Sequence, residues 1–314
     1  MASLKKSGGA SYSPWLHATA VITTVAVFPL IIVGAGVTSQ DAGMAFPDWP
    51  TSAGRVFNPP GWLDASDTRW EHGHRLLGWM VGMLTIVLAA LSWRGGGAVR
   101  AAGLATLIAV SVQGVVGGLR VTEDSTELAM LHGIWGQVCF GMAASAALIT
   151  SRTWLELRDA PAAVGAQLIK NLCVIGAGAV LLQLILGAAL RHFGGNHALV
   201  AHVIWALVVT GLLGWLGDCL IGRCGGNSLL RGLGIGLWLL VAFQLLLGGL
   251  TFLVTQMQIV QSPLARWAVP SAHVATGALL LACTILAALG TLRPSGHEEA
   301  VGLNQSITGE MASD

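Results

Sequence analysis

At 314 residues, 54% hydrophobic and only 10% charged, with a formal net charge of +1 and a mean hydropathy of +0.72, the chain is far more apolar than a soluble domain, in which about a quarter of residues are charged. That composition excludes an ordinary soluble enzyme, and the near-neutral balance supplies no basic surface for nucleic acid. It predicts an all-α membrane protein, because backbone in hydrocarbon must bond within its own helix.

A span needs about 20 apolar residues, and eight runs qualify, at about 15–36, 72–93, 98–119, 131–151, 169–190, 199–221, 232–254 and 270–292. The first follows Lys5 and Lys6 and is longer than the roughly 7–15-residue core of a signal peptide, so it is expected to remain as a span. The long first connection holds Pro47-Asp48-Trp49-Pro50 and Asn58-Pro59-Pro60-Gly61-Trp62. Prolines fix φ and tryptophans favour the headgroup region, which predicts an ordered cap on the membrane surface. Later connections are short, and the polar stretch after Arg293, with His297, reads as a disordered tail. If the N-terminus is cytoplasmic, Lys5, Lys6, Arg94, Arg100, Arg152, Arg158, Lys170, Arg223, Arg231 and Arg293 fall inside, against Arg55, Arg69, Arg75, Arg120, Arg191 and Arg266 outside. That bias places both termini in the cytoplasm of a multi-pass cell-membrane protein.

Internal repetition organises these spans. Gln113-Gly114-Val115-Val116-Gly117 is echoed by Gln183-Leu184-Ile185-Leu186-Gly187 and by Gln244-Leu245-Leu246-Leu247-Gly248, with a weaker copy, Gly34-Ala35-Gly36, closing the first span. After each copy come an outer loop and a histidine near the start of the next span: His74, His132, His202 and His273. Four helix pairs, or two four-helix halves, follow, with all four histidines at similar depth near the outer face.

Ionisable side chains at the edge of hydrocarbon are costly and generally pair or function. Four histidines repeated beside glycines that leave room for something flat suit two pairs of axial imidazoles, each sandwiching a haem iron. Interhelical hydrogen bonding and a proton relay are the alternatives. Glu71 lies three residues before His74 and shares its helix face, so its carboxylate is placed to accept a proton at a porphyrin edge. It is also four residues before Arg75, the spacing of an ordinary helix ion pair. Arg75, Arg120 and Arg191 are candidates for haem propionates, and each equally suits snorkelling to the interface. His17, His72, His192, His197 and His297 fall outside the repeat. The cysteines, Cys139, Cys173, Cys219, Cys224 and Cys283, avoid the outer loops and form no metal-binding pair. No Walker loop, dinucleotide fingerprint, nucleophile elbow or zinc spacing occurs, so redox chemistry here requires a bound cofactor.

Through Pro47-Asp48-Trp49-Pro50, Glu71-His74-Arg75, His132-Gly133-Ile134-Trp135-Gly136-Gln137 and the histidines of the sixth and eighth spans, the chain resembles the haem A synthase family over nearly its whole length. The resemblance implies eight helices in two pseudo-symmetric four-helix bundles: residues 1–152 with the substrate haem site, a cytoplasmic linker at 153–168, residues 169–293 with a haem b site, and the tail at 294–314. It implies that His202 and His273 hold the iron of a haem b cofactor. His74 and His132, with Arg75, would address haem O as substrate, and Glu71 would be the essential acid. A membrane oxidoreductase is implied, converting a methyl group of haem O to the formyl group of haem A. Its partners would be a haem O synthase (a farnesyltransferase), cytochrome oxidase assembly factors and membrane lipid, with no nucleic acid; homo-oligomerisation is left open. The chain departs from the family in lacking outer-loop cysteine pairs, and in lacking an arginine after Thr38. A bis-histidine cytochrome b exchanging electrons with a quinol explains the same four histidines but gives Glu71 no duty. A repeat-built transporter explains the polar outer face alone.

Overall fold

The computed structural model describes residues 12–157, 165–224 and 226–292. Along the chain lie α1 (Pro14–Ser39), α2 (Ser66–Ser92), α3 (Gly97–Thr122), α4 (Thr126–Ile149), the short α5 (Arg152–Glu156), α6 (Ala166–Phe193), α7 (Asn196–Arg223), α8 (Ser228–Thr255) and α9 (Pro263–Leu292). Eight of them are long and apolar enough to cross a membrane. Among the described residues there is no named strand, only an isolated bridge between Ser52 and Arg55. The expectations for Lys5, Lys6, Arg158, Arg293, His297 and the tail at 294–314 lie outside the described residues.

Local chemistry sets several helix starts. Side-chain oxygens of Ser13, Ser125, Ser151 and Asn227 accept from backbone N–H groups three residues on, satisfying donors that have no partner within the first turn. Gly194 and Gly195, at φ 69° and 92°, make the reversal between α6 and α7, a conformation that residues with a Cβ rarely adopt.

The helices overrun the apolar stretches. Helix α2 begins at Ser66, with Asp67 in its first turn, so Glu71 to Arg75 lie within the helix and not at its mouth. The acid favours a helix N-terminus, which carries the helix beyond hydrocarbon length. Helix α9 likewise begins at Pro263, proline being well suited to a first turn. Part of the expected linker forms α5.

Helices α1 to α4 pack in a ring, each against its chain neighbour, with α1 closing on α4; α6 to α9 do the same. The rings meet along α4 with α9, α1 with α9, and α4 with α6. Small side chains line that seam: Ala143, Ala144, Ala278 and Ala282 surround Val27 and Phe140, and small residues let helices approach closely where no hydrophobic force drives them together. A second cluster around Leu213, Leu216, Leu220 and Leu237 fills the inside of the C-terminal ring.

Candidate paired-histidine sites

The Gly and His positions of the repeat meet in space. A Cβ added to Gly34 would lie 2.8 Å from the His74 ring, one on Gly117 2.6 Å from His132, one on Gly187 2.9 Å from His202, and one on Gly248 3.2 Å from His273. Each imidazole therefore rests where the preceding long helix lacks a side chain. These glycines do more than admit a neighbouring helix: they seat the rings.

The rings then pair within each four-helix ring. His74 of α2 and His132 of α4 have centroids 6.2 Å apart at an interplanar angle of 78°, and His202 of α7 and His273 of α9 are 6.3 Å apart at 75°. Two imidazoles bonded at about 2 Å to opposite sides of one metal ion place their ring centres roughly 6 Å apart. Among the described residues no group of three or more His, Cys, Asp or Glu side chains gathers as a metal cage. The donor set thus suits an iron that brings its own equatorial ligands. Nδ1 of His74 and of His273 is buried without a hydrogen-bond partner, although buried polar atoms are ordinarily satisfied.

Glutamines of the repeat tie two of the four histidines. The Gln113 side-chain amide nitrogen is 3.0 Å from the His132 backbone carbonyl oxygen and 3.3 Å from its Nε2, and the Gln113 backbone carbonyl oxygen lies 3.2 Å from His132 Nδ1. The Gln183 amide nitrogen reaches the His202 carbonyl at 3.1 Å and both ring nitrogens at 3.2 and 3.3 Å.

Above the N-terminal pair, the first loop is pinned to α2. Glu71 is 1% exposed; its Oε2 accepts the Phe46 N–H at 3.0 Å, and its Oε1 accepts from Arg75 at 2.5 Å. Arg75 also donates to the carbonyls of Asp48 (2.6 Å), Thr51 and Phe46 (3.0 Å) and to Ser52 Oγ (3.3 Å). Its guanidinium is thereby directed at the loop backbone, with the Phe46 ring 5.8 Å away. His72, fully buried, bonds Ser52 Oγ at 3.0 Å and the Phe57 carbonyl at 3.1 Å. The Trp62 ring packs on it at 4.8 Å between centroids. A carbonyl only accepts, so in the neutral imidazole Nε2 carries the proton and Nδ1 accepts from Ser52.

Asp48 shapes the loop from within. It accepts from Thr51 Oγ1 at 2.6 Å and from the backbone N–H groups of Ala53 (2.8 Å) and Gly54 (2.9 Å). Burial works against its charge, but these donors outweigh it and hold the carboxyl at about 2. The loop also reaches α3, where Gly43 O accepts from Arg120 at 3.2 Å and the Trp49 ring covers Gly118. It therefore spans the end of the N-terminal ring from α2 to α3.

Two contacts join the rings at this same face. Arg191, at the end of α6, donates to Ala35 O at 2.7 Å and Ser39 Oγ at 2.8 Å, meeting the last carbonyls of α1 as a cation should. Trp70 and Trp267 meet edge to face at 4.9 Å. The other histidines lie apart from both pairs: His17 meets Thr150 Oγ1 at 3.3 Å, His192 is in the last turn of α6 and His197 in the first turn of α7. All five cysteines are buried free thiols.

The structure thus brings together His74 with His132, His202 with His273, and Glu71 with Arg75. Sequence reasoning missed His72, which it left without a role, and the loop residues Phe46 and Ser52. The available signal was a second imidazole between Glu71 and His74, at the start of a membrane-length run, with no repeat to explain it.

Residues 17–203, more than half of the chain, match the sequence model of the COX15-CtaA family, described as cytochrome oxidase assembly protein. The match takes in His74, His132 and His202. Over 125 residues the chain is also 33% identical to a Haloarcula marismortui protein named Protoheme IX farnesyltransferase, covering 38% of this chain and 25% of that protein. The chain thus spans about a quarter of the length of that curated relative.

Proposed function

The chain belongs to the COX15-CtaA family of cytochrome oxidase assembly proteins, and on that premise we propose that it is a haem A synthase-type oxidoreductase that oxidises a methyl group of haem O to the formyl group of haem A. The observation that carries the reading is an asymmetry between two otherwise matched sites. Both hold imidazoles just over 6 Å apart, yet only His74 has a carboxylate three residues before it; the equivalent positions before His132, His202 and His273 are Ala129, Leu199 and Pro270.

His202 and His273 would hold haem b, which when bound supplies one-electron transfer. His74 and His132 would grip the substrate haem. Glu71 is the proposed proton acceptor at the reacting carbon: the Phe46 N–H fixes one carboxylate oxygen and Arg75 holds the other. Arg75 serves that carboxylate and the loop, so its action on the substrate is indirect. The docked loop excludes water from the end of the N-terminal ring, which strengthens every electrostatic contact beneath it. With water as oxygen source, converting a methyl to a formyl group releases four protons and four electrons, the electrons passing to a membrane oxidant.

A farnesyl-bearing substrate makes a haem O synthase the proposed supplier, consistent with the segment shared with a protein named as a farnesyltransferase. Cytochrome oxidase, with its assembly factors, is the proposed destination. The distribution of Lys and Arg supports a cell-membrane location with both termini cytoplasmic.

Expression with a haem O source, followed by mass analysis of extracted haems, tests the reading. Haem A should appear, and Glu71→Ala should abolish it while haem b is retained. A correctly inserted protein that yields no haem A refutes the proposal. The near-equal spacing of the two pairs favours a second reading, a bis-histidine cytochrome b; it predicts two permanently held haems and no change in haem mass.

A further inference from the structure

Small and apolar side chains build the seam between the two rings, Ala143 and Ala144 of α4 with Ala278 and Ala282 of α9, and one side chain of α4 departs from that pattern. Gln137 is 5% exposed and lies five residues after His132. The residues five after His74, His202 and His273 are Trp79, Leu207 and Ala278, so none of the other three histidine helices places a polar group there. A buried amide is costly unless its atoms are bonded. The Gln137 amide nitrogen donates to Gly133 O at 3.4 Å, and because a carbonyl only accepts, this bond fixes which end of the amide faces α9. The other end, Oε1, is buried without a partner.

That oxygen reaches into the opposite ring. It lies 3.6 Å from the Cβ position of Gly277 on α9, a point that is also 3.5 Å from the Gln244 amide nitrogen of α8 and 3.0 Å from Leu184 Cδ2 of α6. Helices α6 and α8 are the two neighbours of α9 within the C-terminal ring, so the point faces the inside of that ring. Gly277 stands one turn beyond His273 on the same helix face, and its missing side chain admits Gln137. Gln244 stands one turn before Gly248, which seats the His273 ring, and its own Oε1 is likewise buried and unpartnered. The helix that carries His132 of the first site thus delivers a carbonyl oxygen to the second, one turn below His273.

We propose that Gln137 belongs to the C-terminal site although α4 carries it, and that its carbonyl lowers the reduction potential of the haem held by His202 and His273. The oxygen is the negative end of the amide dipole, and in a low-dielectric interior it opposes the electron that reduction adds. Polarity and burial around the iron are among the levers that set such potentials. The inference rests on the haem-binding reading above and adds a side chain of one ring that tunes the cofactor of the other.

The test is a spectroscopic redox titration of the purified, haem-loaded protein, with the component of the N-terminal site identified by its loss in His74→Ala. Gln137→Leu should move the C-terminal component to higher potential, by about three- to tenfold in the reduction equilibrium, the range for one polar partner at a buried group. The N-terminal component should stay in place. An unshifted or lowered C-terminal potential overturns the proposal. So does a shift confined to the N-terminal component, the result expected of a glutamine that only packs α4 beside His132. Should Gln137→Leu fail to accumulate, Gln137→Met, unbranched and able to repack, is read in the same way. A wild-type protein that holds no haem refutes the haem-binding reading and this inference with it, whereas a C-terminal haem whose potential ignores residue 137 overturns this inference alone.

Discussion

Replacing Arg75 by alanine should release the first loop from α2. The guanidinium makes five hydrogen bonds, four to the loop and one to Glu71, with side chains only 11% and 2% exposed for Arg75 and Glu71. Removing one partner of a buried ion pair costs about 3–5 kcal/mol, because the other charge is left uncompensated. The loop lies where water can reach its freed carbonyls, so the lower figure applies, and about 3 kcal/mol corresponds to a hundredfold or so in the opening equilibrium. Hydrogen exchange reads it directly: amides of residues 46–54, including the Phe46 N–H bound to Glu71 and the Ala53 and Gly54 groups bound to Asp48, should exchange about a hundred times faster. Arg75→Lys keeps a charge for Glu71 but loses the planar fork, and should fall between, at about tenfold. Exchange within threefold of wild type in Arg75→Ala would refute the idea that this arginine latches the loop.

Alanine at the repeat glycines should displace the histidines in order of proximity. On the proposed haem-binding reading, Gly117→Ala, whose Cβ would meet His132 at 2.6 Å, should lose more of its site's haem than Gly248→Ala, at 3.2 Å from His273, as measured by haem content per protein. Asp48 gives a pH signature: its carboxyl is held at about 2 against an ordinary 3.8, so the stability it confers is complete above pH about 4 and is lost as the pH falls towards 2. Trp49 fluorescence should report that transition, and Asp48→Asn should remove it.

Much of the fold was legible because hydrocarbon leaves a chain few choices: eight runs of membrane length had to be helices. Their ends were not, since Ser66 to Trp70 and Pro263 to Val269 are helical beyond the apolar stretch, and hydropathy does not register a helix running on into polar surroundings. The Gln, Gly and His positions stood out by their recurrence. That each glycine receives a histidine ring was not visible, because the facing helix is fixed by the packing of the ring. Arg75 shows the same boundary. Its spacing from Glu71 signalled an ion pair, but its acceptors at Phe46, Asp48 and Thr51 are backbone carbonyls, which every residue carries and no motif marks. His72 depends on Ser52 and Phe57, in a loop without periodicity.

The loop stretched from α2 to α3 also decides from where a large molecule can arrive. Pinned by Glu71, His72 and Arg75 on one side and touching Arg120 and Gly118 on the other, it roofs the N-terminal ring against the aqueous phase. Helices α1 and α4 are backed by the C-terminal ring, whereas α2 meets it at the outer face through Trp70 and Trp267 and α3 packs on α2 and α4. The open flank is therefore the bilayer itself, and the approach to His74 is sideways, out of the lipid; on the proposed function that is the phase from which a porphyrin with a long isoprenoid tail would come.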